Sequence, residues 1–129
     1  MGGRGSFASG RDVKKTYKTV SKIGKAKVLV GIGKEHSLPV ESHSANAMYI
    51  KLKPDGTFHE MRFYDKEHYL IKEIAYHPEP RINNGNRTEN ILHIHEYKRD
   101  NFNDRQPRLL TQKEIKEYKK YLKGVKFKW

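Results

Sequence analysis

Met48-Tyr49-Ile50-Lys51-Leu52, Lys53-Pro54-Asp55-Gly56-Thr57 and Phe58-His59-Glu60-Met61-Arg62-Phe63-Tyr64 run on without interruption, and their reading decides the fold. Side chains on a strand alternate between faces with a period of two. Met48, Ile50 and Leu52 therefore share one face against Tyr49 and Lys51, and Met61 and Phe63 share one against Arg62 and Tyr64. Between the two runs, Pro54 presets φ and Gly56 is free to take φ > 0, so Pro-Asp-Gly predicts a hairpin turn. Asp65-Lys66-Glu67 makes a second tight connection. Tyr69 to Tyr76 returns as a third strand, with Leu70, Ile74 and Tyr76 on one face. Three strands on short turns predict an antiparallel meander.

Residues 77–90 (HPEPRINNGNRTEN) are rich in Pro, Asn and Gly and predict an irregular loop. The loop delivers the chain to Ile91-Leu92-His93-Ile94-His95-Glu96-Tyr97, a β-branched, alternating run. Upstream, Lys27 to Ile32 predicts a short buried strand and residues 33–45 a loop. Residues 1–10 read as a flexible Gly/Ser tail. In residues 11–26, Val13, Tyr17 and Val20 stand at helical spacing, which allows a second, N-terminal helix. Downstream of a polar stretch at 98–110, Thr111 is an N-cap, Glu114 completes a capping box and Gly124 supplies a stop. The resulting helix carries Ile115, Tyr118 and Leu122 as an apolar stripe. The expected architecture is α+β: a four- or five-stranded, mostly antiparallel sheet packed by the C-terminal helix. It forms one domain over residues 11–124, with the meander core at 46–97 and a basic, aromatic tail at 125–129.

The chain has 129 residues and no cysteine, so disulfides and thiolate zinc sites are excluded. No apolar run is long enough to span a membrane, and the opening Met1 to Ser6 lacks the apolar core of a secretory signal. A soluble, intracellular protein is expected. The net charge of +12 is unevenly placed: residues 1–35 carry +7, residues 36–110 carry zero and residues 111–129 carry +5. Basic flanks of this kind gather an anionic polymer by neutralising phosphates and releasing counterions, or they solubilise the chain. Nucleic acid is the expected partner, with no membrane. All seven histidines lie in the neutral centre.

Two of them, His93 and His95, share a strand face with Ile91 and Tyr97, their Cα atoms about 6.6 Å apart. Adjacent imidazoles are poor core material and suit proton transfer or metal binding. If the third and fourth strands are neighbours, His77 and Arg81 converge on them at one end of the sheet, while Arg62 and Tyr64 project from the middle strand. Such a set suits transesterification of an RNA phosphodiester, with one imidazole as base, another as acid and Arg on the charged phosphorane; no metal or cofactor is required. A metal alternative needs a third ligand from His77, His59, His68 or Glu96, the last on the opposite face. The loop Gly33 to Ser44 holds hydroxyls, a carboxylate, Lys34, His36 and His43, and could supply a lid or be ordinary solvated chain.

Arg62-Phe63-Tyr64-Asp65, Ile74-Ala75-Tyr76-His77 and the Pro/Asn/Gly-rich loop into His93-Ile94-His95 carry a resemblance. The pattern is similar to a small domain of bacteriophage head-associated proteins and polymorphic-toxin C-termini, grouped with the barnase–EndoU–RelE-like nucleases. Gly2-Gly3-Arg4-Gly5-Ser6 through Ser9-Gly10 also resembles segments of phage-encoded proteins. The resemblance implies a curved antiparallel sheet and a metal-independent RNase or RNase-derived role. His93 and His95 would be acid and base, with His77, Arg62 and Arg81 around the phosphate. It further implies RNA over DNA, a phage head component or inhibitor protein as partner, and a place in the bacterial cytoplasm or the virion. The alternative from another class is a non-catalytic phage structural or accessory protein whose basic flanks bind nucleic acid or a head component.

Overall fold

The computed structural model describes residues 17–31, 38, 42, 45–98 and 106–126. The tail at 1–10, most of the 33–45 loop and residues 127–129 lie outside them. The described strands are β1 (Tyr17–Ile23), β2 (Ala26–Gly31), β3 (Met48–Leu52), β4 (Phe58–Tyr64), β5 (Leu70–His77), β6 (Ile91–Glu96) and β7 (Pro107–Arg108). They form one sheet in sequence order, antiparallel throughout except between β2 and β3. One helix, α1 (Gln112–Tyr118), follows and continues into a 3₁₀ turn at Lys119–Tyr121.

The meander and the α+β class hold, but the sheet has seven strands among the described residues rather than four or five. The extra ones come from both basic or polar flanks. Residues 17–23 form a strand, not a helix. Val20, one of the residues at helical spacing, is 51% exposed, so that spacing marks no buried stripe. Ile23 pairs with Ala26 across a two-residue turn, where Gly24 takes φ +57°; hairpin turns need such a residue. The polar stretch contributes β7, held to β6 through Ile94–Arg108 and His95–Pro107.

The core lies on the α1 side of the sheet. Ile50, Phe58, Met61, Phe63, Ile74, Tyr76, Leu92 and Ile94 pack there with Tyr118, Tyr121 and Leu122. The capping box forms as expected: Thr111 Oγ1 accepts from the Glu114 N–H (3.1 Å), and Glu114 Oε1 accepts from the Thr111 N–H (2.9 Å). Lys72 crosses from β5 to donate to the Tyr118 hydroxyl (2.7 Å). Past the helix, Val125 packs on this core and the Lys126 N–H donates to the Tyr76 hydroxyl (3.3 Å).

Two bulges adjust which side chains face the core. His59 is the extra residue where Lys51 pairs with Glu60 but Leu52 with Phe58. Ile71 is the extra residue where Phe63 pairs with Lys72 but Tyr64 with Leu70. An inserted residue shifts the alternation, so Leu70 parts from Ile74 and Tyr76 and joins Leu29, Leu38, Tyr49 and Tyr64 on the opposite face. Strict period-two counting placed it with the wrong partners.

Gly124 stands at φ +78°, and a Cβ there would lie 2.5 Å from Thr57 Cγ2, because Phe58 N–H donates to the Lys123 carbonyl and draws the two segments together. Gly124→Ala should therefore destabilise the fold by about 1–3 kcal/mol, read as a shifted urea midpoint. An unchanged midpoint would contradict this packing.

Candidate functional site

The face away from α1 is buried as well, and it is polar at its centre. In register, Tyr49, Arg62, Glu73 and His95 run across β3 to β6, and Lys51, Glu60, Ala75 and His93 form the next row. β5 and β6 are neighbours, so His77, His93 and His95 do come together. His59 joins them through its bulge. The ring centroids are 6.0 Å apart for His59–His77, 4.7 Å for His77–His93 and 5.0 Å for His93–His95, the last two edge-on. Four imidazoles thus form one contiguous row, half-buried at His59 and His77 and sealed at His93 and His95.

His93 is 0% exposed. Its Nδ1 lies 2.8 Å from the Ile91 carbonyl, and a carbonyl can only accept, so Nδ1 carries the proton and Nε2 is left as a bare lone pair. Nε2 has no hydrogen-bond partner among the described residues. Leaving such an atom buried costs roughly 1–3 kcal/mol. Burial, reinforced by the neighbouring His77 and His95, pushes the His93 pKa down to about 4, with the Ile91 hydrogen bond opposing. Burial likewise lowers the His59 pKa, helped by Lys51, His77 and Lys53.

Glu79 reaches the sealed end. Pro78 and Pro80 flank it, and a residue before proline is held extended; its backbone sits at φ −141°, ψ 89°, as the N-cap of the 3₁₀ turn Pro80–Ile82. Its carboxylate accepts from Arg81 Nη2 (2.6 Å) and Nε (3.0 Å) and from the Arg81 N–H (3.2 Å). These bonds hold the Glu79 pKa down at about 2. Glu79, His93 and His95, all buried, offer ligand atoms within 4.8 Å of one another.

Arg62 does not project freely. Its Nε donates to Glu73 Oε2 (2.6 Å) and its Nη1 to the Leu38 carbonyl (2.7 Å). Burial opposes its charge, and Glu73, with Tyr64 and Glu60, more than offsets that, so its pKa lies above the ordinary value. Glu60 is pushed up by burial and by Glu73, and its Oε1 accepts from the Leu38 N–H (3.4 Å). Leu38 is thus clipped over this face at both its N–H and its carbonyl.

The other sequence candidates sit elsewhere. Tyr64 is buried against Tyr49 (5.1 Å between rings) and packs with Leu29 and Leu70. Arg81 is 54% exposed on its side chain and serves to hold Glu79. His68 Nδ1 donates to the Ser42 carbonyl (2.9 Å) in the β4–β5 turn, away from the row. Glu96 lies on the opposite face as expected and pairs with Arg108, which also grips Glu114. His36 and His43 lie outside the described residues. Sequence reasoning missed Glu79, Glu60 and Glu73. The signal for Glu79 was available in Pro78-Glu79-Pro80, two prolines clamping a carboxylate just after the His77 strand.

Comparison with protein-family models, with curated proteins and with solved structures finds no match for this chain. No helix among the described residues is long and apolar enough to cross a membrane.

The depressed His93 pKa has a direct consequence for stability. Between about 4 and the ordinary value of 6.5, the unfolded chain binds the proton and the folded chain does not. Stability is therefore complete above pH 6.5 and falls by about 3 kcal/mol as the pH drops to 4. His59 acts in the same direction. Urea unfolding at stepped pH should show this decline, and a flat profile would contradict it.

Proposed function

We propose that this is a nuclease-like domain that cleaves RNA by general acid–base transfer at the half-buried end of the imidazole row. One observation carries the proposal: the row runs unbroken from the sealed His93 and His95 to the accessible His77 and His59. Lys51 and Lys53 set positive charge beside His59, where an anionic phosphate would be attracted. This changes the roles drawn from the sequence. His93 has no exposed surface and cannot touch a polymer, so the proton-moving groups are His59 and His77.

Burial keeps His59 neutral near pH 7 and makes it the base. The 2′-oxygen bonds to phosphorus as its proton passes to His59. The P–O5′ bond then breaks, and the departing oxygen takes a proton from the His77 imidazolium. The products are a 2′,3′-cyclic phosphate and a 5′-hydroxyl. The Nδ1 of His77 points to the Pro78 carbonyl (2.9 Å), which fixes the ring and leaves Nε2 for this transfer. Arg62, tied to Glu73 and Leu38, holds the scaffold beneath.

The expected outcome is RNA cleavage that falls roughly 10²- to 10⁴-fold in His59→Ala and in His77→Ala. A strand with 2′-deoxyribose at the scissile step should stay intact. Equal cleavage by wild type and both variants would overturn the proposal.

A second reading, a non-catalytic nucleic-acid-binding accessory protein, is favoured by one observation. Lys120 Nζ stands 3.2 Å from where a Gly24 Cβ would lie. The tip of the β1–β2 hairpin, with Lys22, Lys25 and Lys27 around it, therefore meets the C-terminal run Lys119, Lys120 and Lys123. Salt-sensitive RNA binding with no cleavage by the wild type would select this second role.

A further inference from the structure

The acid–base proposal uses the accessible end of the row and leaves the sealed end unexplained. We infer that Glu79, His93 and His95 form a binding site for one divalent transition ion, Zn²⁺ by the chemistry of its donors. The inference extends the proposed function at the same row, and rests on it only for the use to which the ion is put.

Three independent features converge there. The first is distance: the ligand atoms lie within 4.8 Å of one another. Ligands around tetrahedral Zn²⁺ stand about 3.4 Å apart, given bonds of 2.0–2.2 Å, so small rotations of side chains close the set. The second is the orphaned atom. His93 is wholly buried, its Nδ1–H is spent on the Ile91 carbonyl, and Nε2 has no partner among the described residues. A histidine that ligates through one nitrogen while the other donates to a carbonyl is the usual arrangement at metal centres. A bare lone pair in a dry interior calls for a Lewis acid or a proton donor, and no described side chain supplies one. The third is support behind the carboxylate. Glu79 is 6% exposed, clamped between two prolines and held by three Arg81 donors, two on Oε2 and one on Oε1, which leaves a lone pair on Oε1 for an ion. Hydrogen bonds to a ligating carboxylate orient it in this way.

The donor set of two imidazole nitrogens and one carboxylate suits Zn²⁺ and related ions over Mg²⁺ or Ca²⁺, which take oxygen. Three protein ligands also leave a fourth position for a water molecule. None of the ligands is shared with His59 or His77, so the ion and the proposed proton transfers occupy different ends of the row.

The test is Zn²⁺ binding by the full chain, freed of metal and followed by calorimetry without nucleic acid. Co²⁺ substitution is read in parallel by visible absorption. We expect one ion per chain, the intense d–d bands of a four- or five-coordinate N/O site, and affinity lowered at least 100-fold in Glu79→Gln. Arg81→Ala, which touches no ligand nitrogen and removes only the support, should weaken binding roughly 10- to 100-fold. The wild-type Co²⁺ spectrum stands even if a variant fails to fold. Absence of uptake, a weak six-coordinate spectrum, or binding unchanged in Glu79→Gln would overturn the site. Zn²⁺ uptake without RNA cleavage would instead overturn the nuclease proposal and leave the metal site standing.

Discussion

A sheet buried on both faces, one of them apolar and the other polar at its centre beside a smaller apolar cluster, sets the terms for the rest of this structure. α1 and the 3₁₀ turn after it seal one face with Tyr118, Tyr121 and Leu122. The other face loses water too, yet its central rows carry Glu60, Arg62, Glu73, His93 and His95. Buried polar groups are costly unless paired. Most of this face meets that demand: Arg62 with Glu73 across the strands, Glu60 with the Leu38 backbone, and Glu79 with Arg81 within the 3₁₀ turn. The pairing stops among the described residues at two imidazole nitrogens, Nε2 of His93 and Nδ1 of His59.

The first of these follows from the register. Ala75 is opposite both Glu60 and His93, so the central row has a small side chain between a carboxyl and an imidazole. Across from that alanine, His93 turns its Nδ1 to the backbone of its own strand and offers a ring nitrogen within 4.8 Å of ligand atoms of Glu79 and His95. The polar face is thereby divided into an ion-paired half at Arg62 and Glu73 and an imidazole half running from His95 to His59.

Much of the fold was legible because strands β3 to β6 obey a simple alternation and their turns carry strong residues. Pro54-Asp55-Gly56, Thr111 with Glu114, and Gly124 each act within a few residues of chain. What escaped depends on the third dimension. A bulge at Ile71 costs nothing visible in the sequence, yet it sends Leu70 to the other face. β1 is an exposed edge strand whose Lys-rich alternation with Thr, Val and Ser resembles a marginal helix as much as a strand. The shared face of His93 and His95 could be read directly, and so could the approach of His77. Glu79 carried only a local signal, the flanking Pro78 and Pro80, and its approach to the histidines depends on the pairing of β5 with β6. Arg81 and Tyr64 drew attention by type, and their tasks, holding Glu79 and packing on Tyr49, are set by burial that sequence does not display.

The chemistry of the sealed end of the row turns on the state of His93. Long-range ¹H–¹⁵N correlation spectra of the histidine ring nitrogens, recorded on the metal-free chain, read that state directly. The expected result is a neutral His93 ring with the proton on Nδ1 and a bare Nε2, persisting from pH 7 down to pH 5. A His93 that carries its proton on Nε2, or that is already an imidazolium at pH 6, would contradict it.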